Sequence, residues 1–349
     1  MLFFNCDYTE GAHPRILERM LQTNLEQTVG YGEDEHCEHA RTLIKEKCGD
    51  GVQEVHFLVG GTQANFTVIR TALRPHQGVI SPETGHIHVH ETGAVEATGH
   101  KVLAVPCGPE GKISAAQVEA VRKEHYAETT PYGHTVQPKM VYISHPTETG
   151  ALYTKEELAA LRSVCDEFSL FLFCDGARMG YGLTAKGADV TLPDLTRFCD
   201  VFTIGGTKCG ALFGEAVVVT NSEINRDFRY AIKQNGGMLA KGRLLGLQFE
   251  TLFEDGLYEE ICGRANQLAY QINDAFRAAG YKEFAPSPTN QQFFVLPDEV
   301  FETLSRKYSF SFWGKVDETH SAVRVCTSWA TTDQAVAELM EDIKNHKAS

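Results

Sequence analysis

The chain has 349 residues, of which 42% are hydrophobic and 22% charged, and its formal net charge is −14. This acidic balance argues against a nucleic-acid surface, which needs clustered positive charge, and no apolar run approaches the ~20 residues of a transmembrane helix. The ten cysteines include no Cys-x-x-Cys pair, and the apolar start of the chain is too short for a signal peptide. We therefore expect a cytoplasmic protein with reduced thiols and with neither a membrane nor a nucleic-acid partner.

The sequence predicts an α/β fold in which strands and helices alternate. A helix begins near Pro14, since proline is favoured in a first helical turn. Helical patterns also cover residues 63–73, 115–125 and 155–168, the last of which opens with the capping-box spacing of a threonine and a glutamate. Strand-like runs lie at residues 55–59, 79–81, 102–105, 140–144, 170–174, 201–204 and 216–220. This alternation indicates a mostly parallel seven-stranded sheet in a three-layer large domain.

After residue 221 the pattern changes to two long helices, at 237–253 and 258–279. A mixed region follows, with strands at 292–296, 309–313 and 322–326 and a final helix from residue 332. A chain of this length is long for one core. We therefore predict a large domain at residues 1–250 and a smaller α+β C-terminal domain at 251–349, with residues 1–14 packed near the small domain.

The first motif is a Gly-Gly-Thr turn at residues 60–62, between a predicted strand and a predicted helix. Glycines let the backbone approach an anion, and the N–H groups at a helix start point towards it. The turn matches neither Gly-x-Gly-x-x-Gly nor the phosphate-binding loop that ends in Gly-Lys-Ser/Thr. A plain tight turn would use the same glycines, so phosphate binding and a purely structural turn both fit.

Three histidines, His86, His88 and His90, alternate along the chain. On a strand they would share one face and could ligate zinc, whereas on a helix His86 and His90 share a face without His88. The residues that follow look helical, and the preceding strand ends at Pro82. We therefore favour a helix without a metal.

A buried strand at residues 170–174 ends in Asp175. The strand is apolar without alternation, as in parallel sheets, and ligands bind beyond the carboxyl ends of such strands. A carboxylate at this point can keep a pyridinium nitrogen protonated, which is the partner that pyridoxal phosphate requires. The alternative is that Asp175 caps the following turn.

A single lysine, Lys208, follows the strand at 201–204 among small residues. Small neighbours do not pack against the stem of a lysine, so the space around its amine suits a ligand. A buried amine with a lowered pKa is the kind of group that bonds to an aldehyde. A lysine solvated after a strand is the ordinary alternative.

Together, the Gly-Thr turn, the strand-end aspartate and the strand-end lysine resemble the pyridoxal-phosphate enzymes of the aspartate-aminotransferase fold, known as fold type I. Within that fold, the chain from Asp7 to about Trp329 is similar to the threonine aldolase and aromatic amino acid β-eliminating lyase family. The resemblance implies a lyase that breaks the Cα–Cβ bond of a β-hydroxy-α-amino acid, of the L-threonine or L-allo-threonine type, to give glycine and an aldehyde. A β-eliminating lyase or an amino acid racemase with the same cofactor is the alternative. A further alternative is a metal-binding protein without enzymatic activity, in which the three histidines hold the metal.

The resemblance also assigns residues to pyridoxal 5′-phosphate. Gly61 and Thr62 match the phosphate-binding pair, and His86 matches the imidazole that stacks on the cofactor ring. Asp175 matches the partner of the ring nitrogen, and Lys208 matches the lysine that bonds to the cofactor.

Other positions match residues that bind the amino acid substrate. Arg178 and Arg324 match arginines that hold the α-carboxylate, for which a planar guanidinium is suited. Tyr31 and His90 match positions at the mouth of the pocket. Cys6 stands where the family has a short polar side chain, and a thiol is a poorer hydrogen-bond donor than a hydroxyl.

His134 and His86 are the candidates for the base that removes the β-hydroxyl proton. His134 precedes a predicted strand at about the place of a loop histidine in the family. The glycine-rich run at residues 236–243 resembles a segment that reaches the cofactor of a neighbouring subunit. The resemblance therefore implies a homodimer or homotetramer with shared active sites.

Overall fold

The computed structural model describes residues 1–127 and 133–346. The first half of the chain contains β1 (Leu2–Phe3), α1 (Pro14–Gln22), α2 (Glu35–Cys48), β2 (Glu54–Leu58), α3 (Gly61–Ala72), β3 (Gln77–Pro82), α4 (His86–Val89), α5 (Ala94–Ala97), β4 (Val102–Val105), α6 (Ala115–His125), β5 (Gln137–Ser144), α7 (Lys155–Glu167) and β6 (Phe171–Asp175). The second half contains α8 (Met179–Leu183), α9 (Leu192–Phe198), β7 (Val201–Gly205), β8 (Glu215–Val219), α10 (Ser222–Asn225), α11 (Phe228–Gln234), α12 (Arg243–Phe253), α13 (Leu257–Ala278), β9 (Lys282–Ala285), β10 (Gln291–Pro297), α14 (Asp298–Ser305), β11 (Tyr308–Ser309), β12 (Ser311–Lys315), β13 (His320–Cys326) and α15 (Asp333–Asn345).

The large sheet has seven strands in the order β2-β8-β7-β6-β5-β3-β4. Strands β4, β3, β5, β6 and β7 are paired in parallel, and only β8 runs antiparallel to its two neighbours. Each predicted strand of the large domain is present, within three residues of its predicted ends. The predicted fold class, a mostly parallel seven-stranded sheet, is confirmed.

Both faces of the large sheet are covered, which gives the three layers. Val141 and Ile143 of β5 pack in a core with α2, α7, α9 and α12. Met140 and Tyr142, which alternate with them, pack in a second core with α3 and α11. Because both faces are buried, the strands are apolar without alternation.

A smaller sheet has the order β12-β13-β10-β9 and is antiparallel throughout. Helix α13 joins the two parts of the fold, since Tyr258 near its start packs in the core of the large sheet and Phe276 near its end packs in the core of the small one. Strand β1 pairs with β11, and Phe4 lies in the small core. The division into domains at residue 250 stays a prediction.

Two local elements concern the start of a predicted helix and the conformation of the histidine segment. The helix predicted from residue 237 begins at Arg243, because Gly236 has φ +76°, in the left-handed region, and Gly237 follows it. Residues 86–89 form a short helix rather than a strand.

Among the described residues, no helix combines the length and apolar character that a bilayer crossing needs.

Candidate active site

Two adjoining cavities lie at the edge where the parallel strands end. The first has a volume of about 250 Å³ and is lined by residues from the ends of β2, β5, β6 and β7, namely Val59, Gly60, Gly61, Thr62, Asn65, His86, Ser144, Pro146, Thr147, Glu148, Asp175, Ala177, Arg178, Thr207, Lys208, Phe213 and Glu215. The second, of about 520 Å³, reaches to the small sheet and is lined by Tyr8, His86, His90, Glu148, Arg178, Lys208, Ser311, Phe312, Trp313 and Arg324. Four residues line both, so the cavities meet at His86, Glu148, Arg178 and Lys208.

The start of α3 forms an anion-binding edge of the first cavity. Its first intrahelical hydrogen bond joins the N–H of Ala64 to the carbonyl of Gly60, and no side chain caps the helix at Gly60. The N–H groups of residues 61–63 therefore lack intrahelical partners and carry the positive end of the helix dipole. Gly61 and Thr62 line the cavity at this point, so the turn can hold a phosphate group.

Asp175 ends β6 and is buried at the floor of the first cavity. Its Oδ2 accepts hydrogen bonds from the Tyr142 hydroxyl at 2.7 Å and from Asn65 Nδ2 at 2.8 Å. Its Oδ1 accepts from the N–H of Ala177 at 2.9 Å. Both functions considered for this residue are thus compatible, since one oxygen caps the following turn while the carboxylate faces the cavity.

His86 is oriented by a second carboxylate. Its Nδ1 lies 2.7 Å from Oε1 of buried Glu91, and the same oxygen accepts from Asn65 Nδ2 at 2.8 Å. An imidazole that donates its Nδ1–H to a carboxylate keeps a lone pair on Nε2. One amide group, that of Asn65, therefore connects the orientation of His86 with that of Asp175.

Lys208 lies three residues after the end of β7 and lines both cavities. The Tyr181 hydroxyl donates to its carbonyl at 2.6 Å, which fixes the backbone, and Nζ lies 6.0 Å from the ring centroid of Tyr8. Burial lowers the pKa of Lys208, and the positive charge of Arg178 lowers it further, although nearby carboxylates oppose this. A lowered pKa increases the fraction of neutral amine, which is the nucleophilic form.

Arg178 is held in place by a buried ion pair. Its Nε and Nη2 donate to the two carboxylate oxygens of Asp7 at 2.7 and 2.9 Å, and Asn290 Nδ2 also donates to Asp7 at 2.9 Å. Burial alone would raise the pKa of Asp7, but the charge and hydrogen bonds of Arg178, with further contributions from Lys208 and Asn290, lower it to about 2. This bidentate pair leaves Nη1 of Arg178 for a ligand in the cavities.

Arg324 reaches the second cavity from β13 of the small sheet. Its Nη1 donates to Gln291 Oε1 at 3.1 Å and its Nη2 to the Asn5 carbonyl at 2.9 Å. Its Nε is buried and has no partner in the part of the chain that the structure describes. The two arginines thus approach the joined cavities from different sheets, which suits them to hold one carboxylate between them.

His134 is not brought to the site in this chain. It is exposed and lies three residues before β5, whose last residue, Ser144, lines the first cavity. The eight residues of β5 separate the two ends by ~25 Å, at about 3.3 Å per residue. Within this chain His134 lies at the opposite edge of the sheet from the cavities, because it precedes a parallel strand, and its role as the base stays a prediction.

Cys6 and Tyr31 also lie outside the two cavities of this chain. The Cys6 thiol is buried and contacts Asn5 Nδ2 at 3.7 Å, while its neighbour Tyr8 lines the second cavity. Tyr31 is half exposed with φ +63°, and its N–H donates to the Ala240 carbonyl at 3.2 Å. Tyr31 therefore packs beside the glycine-rich run rather than beside Lys208.

His90 lines the second cavity, as expected for a residue at its mouth, and its ring lies 5.5 Å from that of His86. Burial and the neighbouring His86 lower the pKa of His90. His88 is exposed, and the strand that a three-histidine zinc site requires is not formed. No group of three metal-ligating side chains was found in residues 1–127 and 133–346.

Two acids in the first cavity were missed from the sequence. Glu148 Oε1 accepts from the Ser144 hydroxyl at 2.7 Å and from the His86 N–H at 3.0 Å, whereas its buried Oε2 has no partner among the described residues. Burial raises the pKa of Glu148. Glu215 is the first residue of β8 and is also buried. Their only sequence signal is that polar residues lie next to strand ends at the same edge of the sheet.

Comparison with known proteins identifies the family. The sequence model of the beta-eliminating lyase family matches residues 4–299. The chain belongs to this family. A low specificity L-threonine aldolase of Pseudomonas sp. (strain NCIMB 10558) is 29% identical over 98% of this chain and 96% of its own length.

Solved structures agree with this assignment. The structure of a threonine aldolase of Leishmania major is 40% identical, covers 100% of both chains and has a TM-score of 0.96. An aspartate aminotransferase of Thermus thermophilus is 15% identical over 99% of this chain and 91% of its own, and its TM-score of 0.72 shows the shared fold alone. The family predicted from the sequence, and with it a lyase, is confirmed.

Replacing Asp7 by asparagine is expected to destabilise the protein, because Arg178 would lose its buried counter-charge. The pKa of Asp7 is lowered from 3.8 to about 2, which corresponds to about 2 kcal/mol of free energy of unfolding at neutral pH. A lowered pKa in the folded state means that this stabilisation is complete above about pH 4 and is lost as the pH falls towards 2. Urea unfolding should therefore show a lower free energy of unfolding for Asp7→Asn than for wild type at neutral pH. This difference should become smaller as the pH falls from about 4 towards 2.

The matched control for this prediction is Asp255→Asn. Asp255 forms an exposed ion pair with Arg15, and exposed pairs contribute about 0–1 kcal/mol. Equal stability of Asp7→Asn and wild type at neutral pH would contradict the importance of the Asp7–Arg178 pair.

Proposed function

We propose that this protein is a pyridoxal-phosphate-dependent aldolase of the low-specificity L-threonine type. Its substrate would be a β-hydroxy-α-amino acid, and its products would be glycine and an aldehyde. One observation carries the proposal: an anion-binding helix start, the carboxylate of Asp175 and the amine of Lys208 surround one cavity. The relatives from Pseudomonas and Leishmania support the choice of reaction.

The residues around the first cavity fit pyridoxal phosphate. The free N–H groups at the start of α3 suit its phosphate, and the carboxylate of Asp175 suits its ring nitrogen. The imidazole of His86 suits a face of the ring, and the amine of Lys208 suits the aldehyde. When bound, the cofactor supplies an electron sink for a bond at Cα of an amino acid.

The second cavity is suited to the substrate. Arg178 and Arg324 line it from opposite sheets, and together they would hold the α-carboxylate in one orientation. Fixing the carboxylate also fixes which bond at Cα faces the first cavity, so orientation selects the reaction. Tyr8 and Trp313 form parts of the wall where the β-substituent would lie.

We assign the removal of the β-hydroxyl proton to His86. Its Nε2 is free to accept a proton, because Nδ1 is engaged by Glu91. The Glu91 carboxylate would stabilise the imidazolium that results. Glu148 lies at the same junction with an unpartnered Oε2, and it is the second candidate for this proton.

The assignment of Lys208 predicts the loss of a chromophore. Lys208→Ala should abolish the yellow absorbance that arises when a lysine amine is bonded to the cofactor aldehyde, and turnover should fall to background. Lys186→Ala, at an exposed lysine, is the control and should keep both. Survival of the absorbance and of turnover in Lys208→Ala would refute the role of this lysine.

The reaction itself is tested by a panel of amino acids. Incubation with threonine, allo-threonine, phenylserine, serine and tyrosine is followed by assays for aldehyde, glycine, keto acid and ammonia. We expect aldehyde and glycine in equal amounts from the β-hydroxy amino acids. Keto acid with ammonia would indicate the alternative β-elimination, and an inverted amino acid would indicate a racemase.

The role of His86 predicts different effects for two histidine substitutions. His86→Asn should lower kcat for threonine by about 10²-fold or more, which is the usual contribution of a general base. His134→Asn should remain near wild type, since His134 lies at the far edge of the sheet. Cofactor absorbance, measured in both variants, separates loss of chemistry from loss of binding. A large loss of kcat in His134→Asn alone would assign the base to His134.

We further propose that the protein is a homo-oligomer. Leu17 and Leu21 are exposed one turn apart on α1, and Leu25 and Val29 are exposed in the segment that follows the helix. Exposed apolar side chains concentrated in one segment indicate an interaction surface. The segment leads to Tyr31, which contacts the glycine-rich run at residues 236–243. This continuity favours a second copy that covers the segment beside the glycine-rich run.

Sedimentation velocity tests this proposal. Leu21→Asp with Leu25→Asp should shift the oligomer towards monomer, because charges would be buried in the interface. Val316→Asp, at an exposed valine just after β12, is the control and should leave the assembly unchanged. A monomeric wild type would contradict the proposal.

A cytoplasmic location is also proposed from the ten free cysteines, and cell fractionation tests it.

A further inference from the structure

Glu215 is a buried acid in the first cavity for which the mechanism above has no use. It pairs with Gly205 of β7 and Leu58 of β2, and only 4% of its surface is exposed. Its Oε2 has no hydrogen-bond partner in the described part of the chain. A buried polar atom without a partner costs free energy, so a ligand is the natural source of that partner.

The position of the carboxyl group points to the anion-binding edge. Glu215 Oε1 lies 3.9 Å from the point where a Cβ on Gly61, the first residue of α3, would stand. The register of β8 explains this, because Val217, two residues on, packs in the core that contains α3. Glu215 therefore shares the wall of the cavity with Thr62 and the free N–H groups of the helix start.

An ionised carboxylate at this place would repel a phosphate, whereas a protonated one can donate a short O–H···O⁻ hydrogen bond. Burial raises the pKa of Glu215 well above its usual value, and the charge of Asp175 raises it further. Lys208 opposes this shift, and the neighbouring Cys209 adds to it. The surroundings thus favour the protonated form of the acid.

We propose that Glu215 is a further cofactor-binding residue, whose protonated carboxyl group donates a hydrogen bond to the phosphate held at the start of α3. This inference rests on the proposed function. It makes binding of the cofactor dependent on a proton, because an ionised Glu215 can neither donate nor lie beside the phosphate without repulsion. The affinity for a phosphate-bearing ligand should therefore fall as the pH rises through the pKa of Glu215.

Titration calorimetry of the full-length chain with pyridoxine 5′-phosphate tests this. This probe carries the ring and the phosphate but no aldehyde, so Lys208 cannot bond to it. Glu215→Gln keeps the shape and a donor but cannot ionise. At alkaline pH, the affinity of wild type for the probe should fall by up to about tenfold per pH unit relative to that of Glu215→Gln. At the acidic end, the affinities of the two proteins should agree within about threefold.

Two further arms complete the test. Glu215→Ala should bind the probe about tenfold or more weakly at the acidic end, since the donor is gone, and binding of pyridoxal, which lacks the phosphate, should not depend on residue 215. The same pH dependence in wild type and Glu215→Gln would overturn the inference. A loss of affinity of more than about tenfold in Glu215→Gln at every pH would also overturn the inference. It would indicate that Glu215 is ionised and pairs with Lys208.

The controls separate this inference from the proposed function. If wild type binds neither pyridoxine 5′-phosphate nor pyridoxal phosphate, the proposed function itself fails. If Glu215→Gln does not fold, it is replaced by the proton uptake of wild type on binding, measured in two buffers of different ionisation enthalpy at an alkaline pH where the free carboxyl group of Glu215 is ionised. Uptake beyond that of the phosphate group itself supports the inference, and its absence overturns it.

Discussion

The structure depends on the burial of one amine beside several carboxyl groups at the edge of a parallel sheet. Lys208 follows β7, Asp175 ends β6 and α3 begins just after β2, so all three lie at the same edge of the sheet. Asp175 and Glu215 are buried there, so each such group must be paired, neutralised or offered to a ligand. This requirement explains both the lowered pKa of Lys208 and the raised pKa of Glu215.

The remaining polar groups keep these side chains in fixed positions. Asn65 donates to both Asp175 and Glu91, and Glu91 in turn orients His86. Asp7 holds Arg178, which connects the start of the chain to the wall of the cavities. Such preorganisation reduces the free energy that binding must supply to order the site.

The fold was readily predictable because both faces of the large sheet are buried, which produces apolar strands between amphipathic helices. Lys208 and Asp175 were predictable because each lies at or just after the carboxyl end of such a strand. The same reasoning about strand direction places His134, which precedes β5, at the other edge of the sheet in this chain. Tyr142 lies inside β5, and Asn65 lies one turn inside α3. These positions look like ordinary core residues, so their hydrogen bonds to Asp175 emerge only from the tertiary structure.

The proposed function requires that Lys208, and no other lysine, bonds to the aldehyde of pyridoxal phosphate. The most direct measurement is borohydride reduction of the cofactor-loaded protein, followed by proteolysis and mass spectrometry of the labelled peptide. We expect a single pyridoxyl label, on the peptide that contains residue 208. A label on a different lysine, or no label on a protein that is loaded with cofactor, would contradict it.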